Sequence, residues 1–351
     1  MSGISDVARL AGVSKSTASR ALSGSGYVSE KTRIKVQAIA ASLGYVPSTN
    51  AASLVTGRTR NVGVVIPYLH RWFFAEVLEG IQSALLERGL DLTLYDASPG
   101  TDERRRIFDD FLARKRFDGL IAVGLEPEDH ELEQLLMIGR PVVSVVGSDD
   151  DPVVIGIDDD DAARRATHHL TALGHRHIVF VGGGSSTRWA SVDRRRLDGY
   201  YAAMSEAGLD AHAQHVSSEV TLPGGYAASV DLLGAARSRP TAIVAVCDEV
   251  AIGAIIAARR LGIGVPSDLS VVGIDDHEYA QMFALTTLQQ IPRDQGRAAV
   301  ELLQTQLDDP HTARRPNPSP ARLIVRASTG PVDYRHSVTV SDPRPGIDRA
   351  V

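Results

Sequence analysis

One cysteine, Cys247, occurs in 351 residues, which excludes an intramolecular disulfide. Aromatic residues make up only 5% of the chain, with two tryptophans, so any large core has to be built mainly from aliphatic side chains. No apolar run approaches the roughly 20 residues that cross a bilayer, and no membrane partner is expected. Asp6, Arg9 and Lys15 stand where a secretory leader would need an apolar centre, so a cytoplasmic location is expected. Catalytic signatures are equally scarce. Gly182 to Gly184 follow an apolar run as a phosphate loop would, yet neither a Walker lysine nor a completed dinucleotide fingerprint comes after them, and they read as a turn. His168, His169, His175 and His177 have no third ligand at metal spacing, and no histidine is tied to Cys247. The acidic run Asp158 to Asp161 precedes a helical pattern, where carboxylates suit the positive end of the dipole better than a metal. The expectation is a protein that is not an enzyme and needs neither metal nor cofactor.

What the chain has in its first fifty residues is a compact pattern of short helices. In ISDVARLAGVSKSTASRAL, from Ile4 to Leu22, Val7, Ala8 and Leu10 give one helix an apolar face, Gly12 supplies a turn, and Ser14 is placed to cap a second helix from Lys15. Ala18, Ala21 and Leu22 form the inward side of that helix. A helix entering the major groove reads bases near its N-terminus, and the side chains there are Lys15, Ser16 and Thr17, with Arg20 one turn on. Ser29 and Glu30 open a third helix whose apolar positions are Ile34, Val36, Ile39, Ala40 and Leu43.

Charge divides the chain in the same place. Residues 1–60 carry eight basic against two acidic residues, a net of +6, while the whole chain is −6, which leaves −12 for the remainder. A basic head on an acidic body fits a head that meets a polyanion and releases its counterions. From Asn61 onward continuous apolar strands such as VGVVIP, DGLIAVG, HIVFVGG and TAIVAVC alternate with amphipathic helices, in two series that meet near Ile157. That alternation predicts two α/β units with parallel sheets covered on both faces and a ligand site in the cleft between them. Phe73 and Phe74 lie where the first helix of the first unit opens toward that cleft, and Trp189 adds an aromatic in the corresponding loop of the second. The last twenty residues lack leucine heptads, so a dimer is expected rather than a coiled-coil tetramer.

DVARLAGVSKSTASRALSGSGYVSEKTR followed by LGYVP resembles the LacI/GalR family of bacterial transcription regulators, and GVVIPYLHRWFFAEVLEGI, LTALGHRHIVFVGG, RRRLDGYYAAM, DEVAIGA, LSVVGIDD and LTTLQQ extend the likeness to about Gly330. The resemblance implies a small all-α helix-turn-helix headpiece (1–46), a hinge (47–60) and a two-subdomain α/β core like that of periplasmic sugar-binding proteins (61–330), with a tail at 331–351. Because the family's chain crosses back, 61–156 plus 291–318 would form one subdomain and 157–290 plus 319–330 the other. The resemblance also implies that Ser29, Thr32 and Tyr45 hold phosphates, that Ala51 approaches the minor groove, and that Leu54 wedges into it. Ser48 and Ala52 replace an Asn and an Arg common in family hinges, and the helical part of this hinge, about 48–55, is too short to hold alone. Arg196 matches the family arginine that grips effector oxygens, Asp275 a family acid at a strand end, and Cys247 stands where an Asn is usual; Trp72 replaces a proline. The implied function is a dimeric regulator, a repressor controlled by a small effector, most simply a sugar. Alternatives are a nucleobase or other metabolite acting as corepressor and, in a different class, a solute-binding protein, which the headpiece and the missing signal peptide oppose.

Overall fold

The computed structural model describes residues 3–24, 26–45, 58–147, 154–184, 190–235, 239–309 and 318–332. Three helices open the chain, α1 (Ile4–Ala11), α2 (Lys15–Ser23) and α3 (Glu30–Ser42). Local chemistry sets their ends. Gly12 takes a left-handed φ of 66° and reverses the chain after α1. Ser14 Oγ accepts the Thr17 N–H at 3.1 Å and Ser29 Oγ accepts the Thr32 N–H at 3.4 Å, so hydroxyls start α2 and α3. Val7, Ala8, Ala11, Ala18, Ala21, Val36 and Ala40 close a core of mostly small side chains, across which three short helices pack tightly. Leu10 and Ile34, which helical spacing assigns to apolar faces, are instead 50% and 58% exposed. Three helices this short enclose too little volume for them, and Ala11 takes the inward position on α1.

The rest of the chain builds two sheets. β1 (Asn61–Ile66), β2 (Asp91–Asp96), β3 (Gly119–Val123), β4 (Val142–Val145) and β5 (Val154–Ile155) form an all-parallel sheet in the order β2-β1-β3-β4-β5. β6 (Ile178–Val181), β7 (Gln214–Val216), β8 (Ala242–Ala245), β9 (Ser270–Asp275), β10 (Thr286–Gln289) and β11 (Arg322–Ile324) form the second in the order β11-β10-β9-β8-β6-β7, where β11 alone is antiparallel. The strands are connected by α4 (Trp72–Glu87), α5 (Asp102–Arg106), α6 (Asp129–Met137), α7 (Asp159–Ala172), α8 (Ser191–Glu206), α9 (Leu222–Gly234), α10 (Asp248–Arg260) and α11 (Pro292–Asp308). The helical run expected after β2 is broken into α5, a π-helical turn (Ile107–Phe111) and a 3-10 turn (Leu112–Arg114).

After β10 the chain leaves the second sheet, and Ala299, Val300 and Leu303 of α11 join the core of the first. There α11 crosses α4 at backbone contact. A Cβ at Gly80 would come within 2.1 Å of the Arg293 carbonyl oxygen, and one at Gly296 within 2.2 Å of the Val77 oxygen. Only glycine at both positions allows the helices to meet this closely, which holds the returning helix against the first lobe. β11 then pairs with β10, so several strands of chain tie the lobes together and the carboxyl ends of both sheets face a shared cleft.

Candidate functional site

The headpiece presents a polar surface on α2. Lys15, Ser16 and Arg20 are exposed and Thr17 is half-buried, because Ala18 and Ala21 turn the opposite side of the helix into the core. The Ser14 hydroxyl bonds those of Ser16 at 2.8 Å and Thr17 at 2.9 Å, which orders the first turn of α2. Ser29 is exposed, Thr32 and Tyr45 are half-buried, and the Ser29 and Thr32 hydroxyls lie 2.8 Å apart at the start of α3. Tyr27, unassigned from sequence, is 93% exposed on the loop leading to α3. Ala51 and Leu54 lie outside the described residues.

The cleft holds a cavity of about 480 Å³. Its lining comes from residues at or just past the carboxyl ends of the strands: Tyr68 after β1, Gly124 and Glu126 after β3, Val146 after β4, Gly183 after β6, Cys247 after β8, Asp275 ending β9 and Gln290 after β10. The two lobes line it differently. The first contributes an aromatic wall, with Phe74 edge-on to both Tyr68 and Phe73 at 5.6 Å. The second contributes charge. Arg196 Nε donates to Asp159 Oδ1 at 2.8 Å, Nη1 to the Val246 carbonyl at 2.7 Å and Nη2 to Asp275 Oδ1 at 3.5 Å. These bonds use three of the five guanidinium protons. Gln290 Nε2 donates to the same Asp275 oxygen at 2.6 Å while Gln290 Oε1 accepts from Gln295 Nε2 at 2.9 Å, so the acid is held from two sides. Val146 and Asp275 have φ of 51° and 128°, conformations that cost side-chain-bearing residues about 1–3 kcal/mol each, and both line the cavity.

Polar contacts also cross from lobe to lobe. Glu126, on the first, accepts from the N–H of Ser191 at 2.8 Å and its hydroxyl at 3.1 Å, which caps the first turn of α8 on the second. The Trp72 N–H in the first turn of α4 favours the charged form of Glu249, on the second. The Trp72 ring lies 4.8 Å from that of His277. Arg71, its guanidinium 3.8 Å above the Tyr68 ring, lies close enough to Asp193 and Glu249 to favour their charged forms, and its Nε is buried without a hydrogen-bond partner among the described residues. Each lobe therefore lends a carboxylate to a helix N-terminus of the other.

Burial dominates the electrostatics. It pushes Asp193 and Asp275 up to about 6 against the pull of Arg196, and it raises the Cys247 thiol well above its usual range, so this cysteine is a neutral small side chain at the strand end. Asp248, beneath the charged wall, is pushed up to about 8 by burial and by the neighbouring Asp275 and Asp276, while Thr287 and the His277 N–H favour its charged form. A proton kept by the folded state after the unfolded chain has lost its own makes stability fall as pH rises, from the unfolded value near 3.8 through about 8. The melting temperature is expected to decline between pH 7 and 9, and Asp248→Asn, which still accepts from His277, is expected to flatten that limb. Equal slopes in thermal melts of the two proteins would show that another group titrates.

Phe73, Phe74, Arg196, Cys247 and Asp275 all line this cavity, whereas Trp189 lies outside the described residues. Sequence reasoning passed over Tyr68, Arg71, Glu126, Asp193, Glu249 and Gln290. Of these, Glu126 carried a usable signal, since it comes three residues past the end of the apolar strand Gly119–Val123. Asp159 was read only as part of a helix start. Asp158 does cap α7, its Oδ1 accepting the Asp161 N–H at 3.0 Å, but Asp159 turns inward and is 4% exposed beside Arg196.

A helix-turn-helix head on a two-lobed core with a cleft between its lobes is the build of a DNA-binding regulator with an effector site. The chain belongs to the lacI family of bacterial regulatory proteins. The model of that description matches residues 3–48, and a periplasmic binding protein-like domain matches residues 167–329. The HTH-type transcriptional regulator DegA of Bacillus subtilis (strain 168) is 33% identical over 94% of this chain and 98% of its own length. Among solved structures, the lac repressor dimer bound to operator and the anti-inducer ONPF superposes with a TM-score of 0.83 at 28% identity, covering 94% of this chain and 99% of that one. A complex of the transcriptional regulator CelR with cellobiose gives 0.67 at 28% identity, covering 93% and 100%.

Proposed function

We propose that this protein is a dimeric repressor whose grip on operator DNA is released when a sugar fills the cleft. One observation carries the reading: an aromatic wall from one lobe faces an arginine and carboxylate wall from the other, and the same cavity borders groups that join the lobes. Ring faces stack on the apolar faces of a sugar while Arg196, Asp275 and Gln290 meet its hydroxyls. CelR, similar along nearly its whole length, is known with cellobiose bound. In this reading residues 1–46 are the headpiece, 47–60 the hinge and 61–330 the effector core, and the protein works in the cytoplasm without catalysing a reaction. A change in lobe angle on ligand binding alters the spacing of the two hinges in the dimer and so the operator affinity.

The test is operator affinity at one fixed salt concentration, with and without each sugar of a panel. Weaker binding in the presence of a sugar supports release; tighter binding would make the ligand a corepressor, and no change with any bound sugar would defeat the reading. Within the headpiece, Lys15, Ser16 and Arg20 are assigned to bases and Thr17, Ser29, Thr32 and Tyr45 to phosphates; within the hinge, Ala51 is assigned a place near the minor groove. Ser16→Ala is then expected to change the ranking of operator variants, by about 1–3 kcal/mol at the base it reads. Ser29→Ala is expected to weaken all duplexes alike and to lose about 1 kcal/mol of stability with its helix cap. A uniform loss from Ser16→Ala across unrelated duplexes would contradict the assignment.

A further inference from the structure

The end of the first sheet away from the cleft carries positive charge that neither the headpiece nor the effector site accounts for. Arg58 and Arg60 precede β1, Arg88 precedes β2, and Arg114, Lys115 and Arg116 precede β3; all six are exposed. Because Asn61 pairs in parallel with Asp91 and Val62 with Gly119, the three turns lie side by side. They are also bonded to one another. Asp118 accepts the N–H groups of Thr59 at 2.6 Å and Arg60 at 2.8 Å, Asn61 Nδ2 donates to the Arg116 carbonyl at 2.7 Å, and Arg60 Nη2 donates to the Gly89 carbonyl at 2.9 Å. A hollow of about 250 Å³ opens between Arg58, Arg60 and Arg88.

The carboxylates nearby do not cancel this charge. Asp118 is buried and engaged by backbone, Glu87 pairs with Arg297 at 3.0 Å, and Asp308 lies 3.7 Å from Arg58, which leaves Asp91 and Asp309 against the remaining cations. The chain beyond residue 60 carries −12, so a basic rim on it is a local concentration rather than a general property. Its position matters too. The rim is the end at which the chain enters the core, and Arg58 comes four residues after Leu54, a separation that spans at most about 14 Å.

We propose that this rim is a second DNA contact, in which Arg60, Arg88 and Arg116 hold backbone phosphates beside the hinge without reading bases. The inference rests on the reading of residues 1–60 as a DNA-bound headpiece and hinge, because any duplex the headpiece holds then has phosphates near the end of the core at which the hinge enters. Phosphate contacts of this kind fix position and add affinity on any sequence.

The experiment compares the full chain with the triple variant Arg60→Gln, Arg88→Gln, Arg116→Gln. Binding to an operator duplex and to an unrelated duplex is measured between 50 and 200 mM salt, in the range where each phosphate contact contributes about −0.9 to the log–log slope. Because the bound dimer carries two rims, the slope is expected to become less negative by about 2–5 on both duplexes, with similar fold losses. Arg60 and Arg88 also bond backbone carbonyls, of Gly89 and Ala84, so Arg116→Gln alone, with an expected change of about 2 for the dimer, guards against misfolding of the triple variant. Arg322→Gln, an exposed residue on β11 of the second lobe, controls for bulk charge and is expected to leave the slope alone. An unchanged slope in the rim variants, an equal change in the control, or a loss confined to the operator would each overturn the proposal. Leu54→Ala, which leaves the rim's charge intact, tests the wedge separately, so the two ideas fail by different measurements.

Discussion

Arg196→Ala is expected to abolish the response to ligand and to destabilise the core by about 3–5 kcal/mol, the range seen when one partner of a buried ion pair is removed. The side chain is 6% exposed and joins Asp159, Asp275 and the Val246 carbonyl, so its loss leaves two carboxylates, 4% and 7% exposed, with only Arg195 at 3.5 Å and the neutral Gln290 to hold them. Thermal melts read the stability loss directly. The functional part needs a variant that stays folded, and Arg196→Lys keeps the charge while giving up the planar fork that reaches both acids at once. It is expected to bind operator normally and to require far more ligand for release, because operator contacts come from the headpiece while Arg196 faces the cavity. An Arg196→Lys protein that responds at the same ligand concentration as the parent would remove this residue from the effector site.

Leu54→Ala is expected to lower specific operator affinity at least tenfold, about 1.4 kcal/mol, while leaving dimerisation and ligand binding as they were. An apolar side chain between base steps stabilises a kinked minor groove, and that kink brings two headpieces onto their half-sites together. Binding to unrelated duplexes, which depends on phosphates, is expected to change little. The contrast with the rim variants is sharp: Leu54 governs the operator-specific part and the arginines govern the part shared by all DNA. Operator titrations of Leu54→Ala that overlay the parent would defeat the wedge.

Much of this architecture was legible in the residues. Ser14, Gly12 and Ser29 act within three or four positions of themselves, through a cap or a left-handed turn, so their effect on α1, α2 and α3 is written locally. The apolar runs from Asn61 onward revealed parallel sheets with a cleft beyond their carboxyl ends, toward which the helix bearing Phe73 and Phe74 opens, while the family resemblance pointed to Arg196, Cys247 and Asp275; all five line one cavity. Residue spacing also misled in places. Leu10 and Ile34 fit helical periodicity, yet the volume that three short helices enclose decides what enters their core.

The sequence by itself therefore determined the elements, their order, the two-part division of charge and the class of fold, because each follows from periodicity or from contacts between near neighbours. Only the tertiary structure decided that Arg196 is buried between Asp159 and Asp275, partners 37 and 79 positions away. It likewise decided that Glu126 caps a helix 65 positions later on the other lobe, and that three turns separated by β1, β2 and the helices between them join into one basic rim. Such pairings have no local signature: a carboxylate looks the same in a sequence whether it will meet water, a helix end or an arginine, and the register of the sheets and the return of α11 across the cleft settle which.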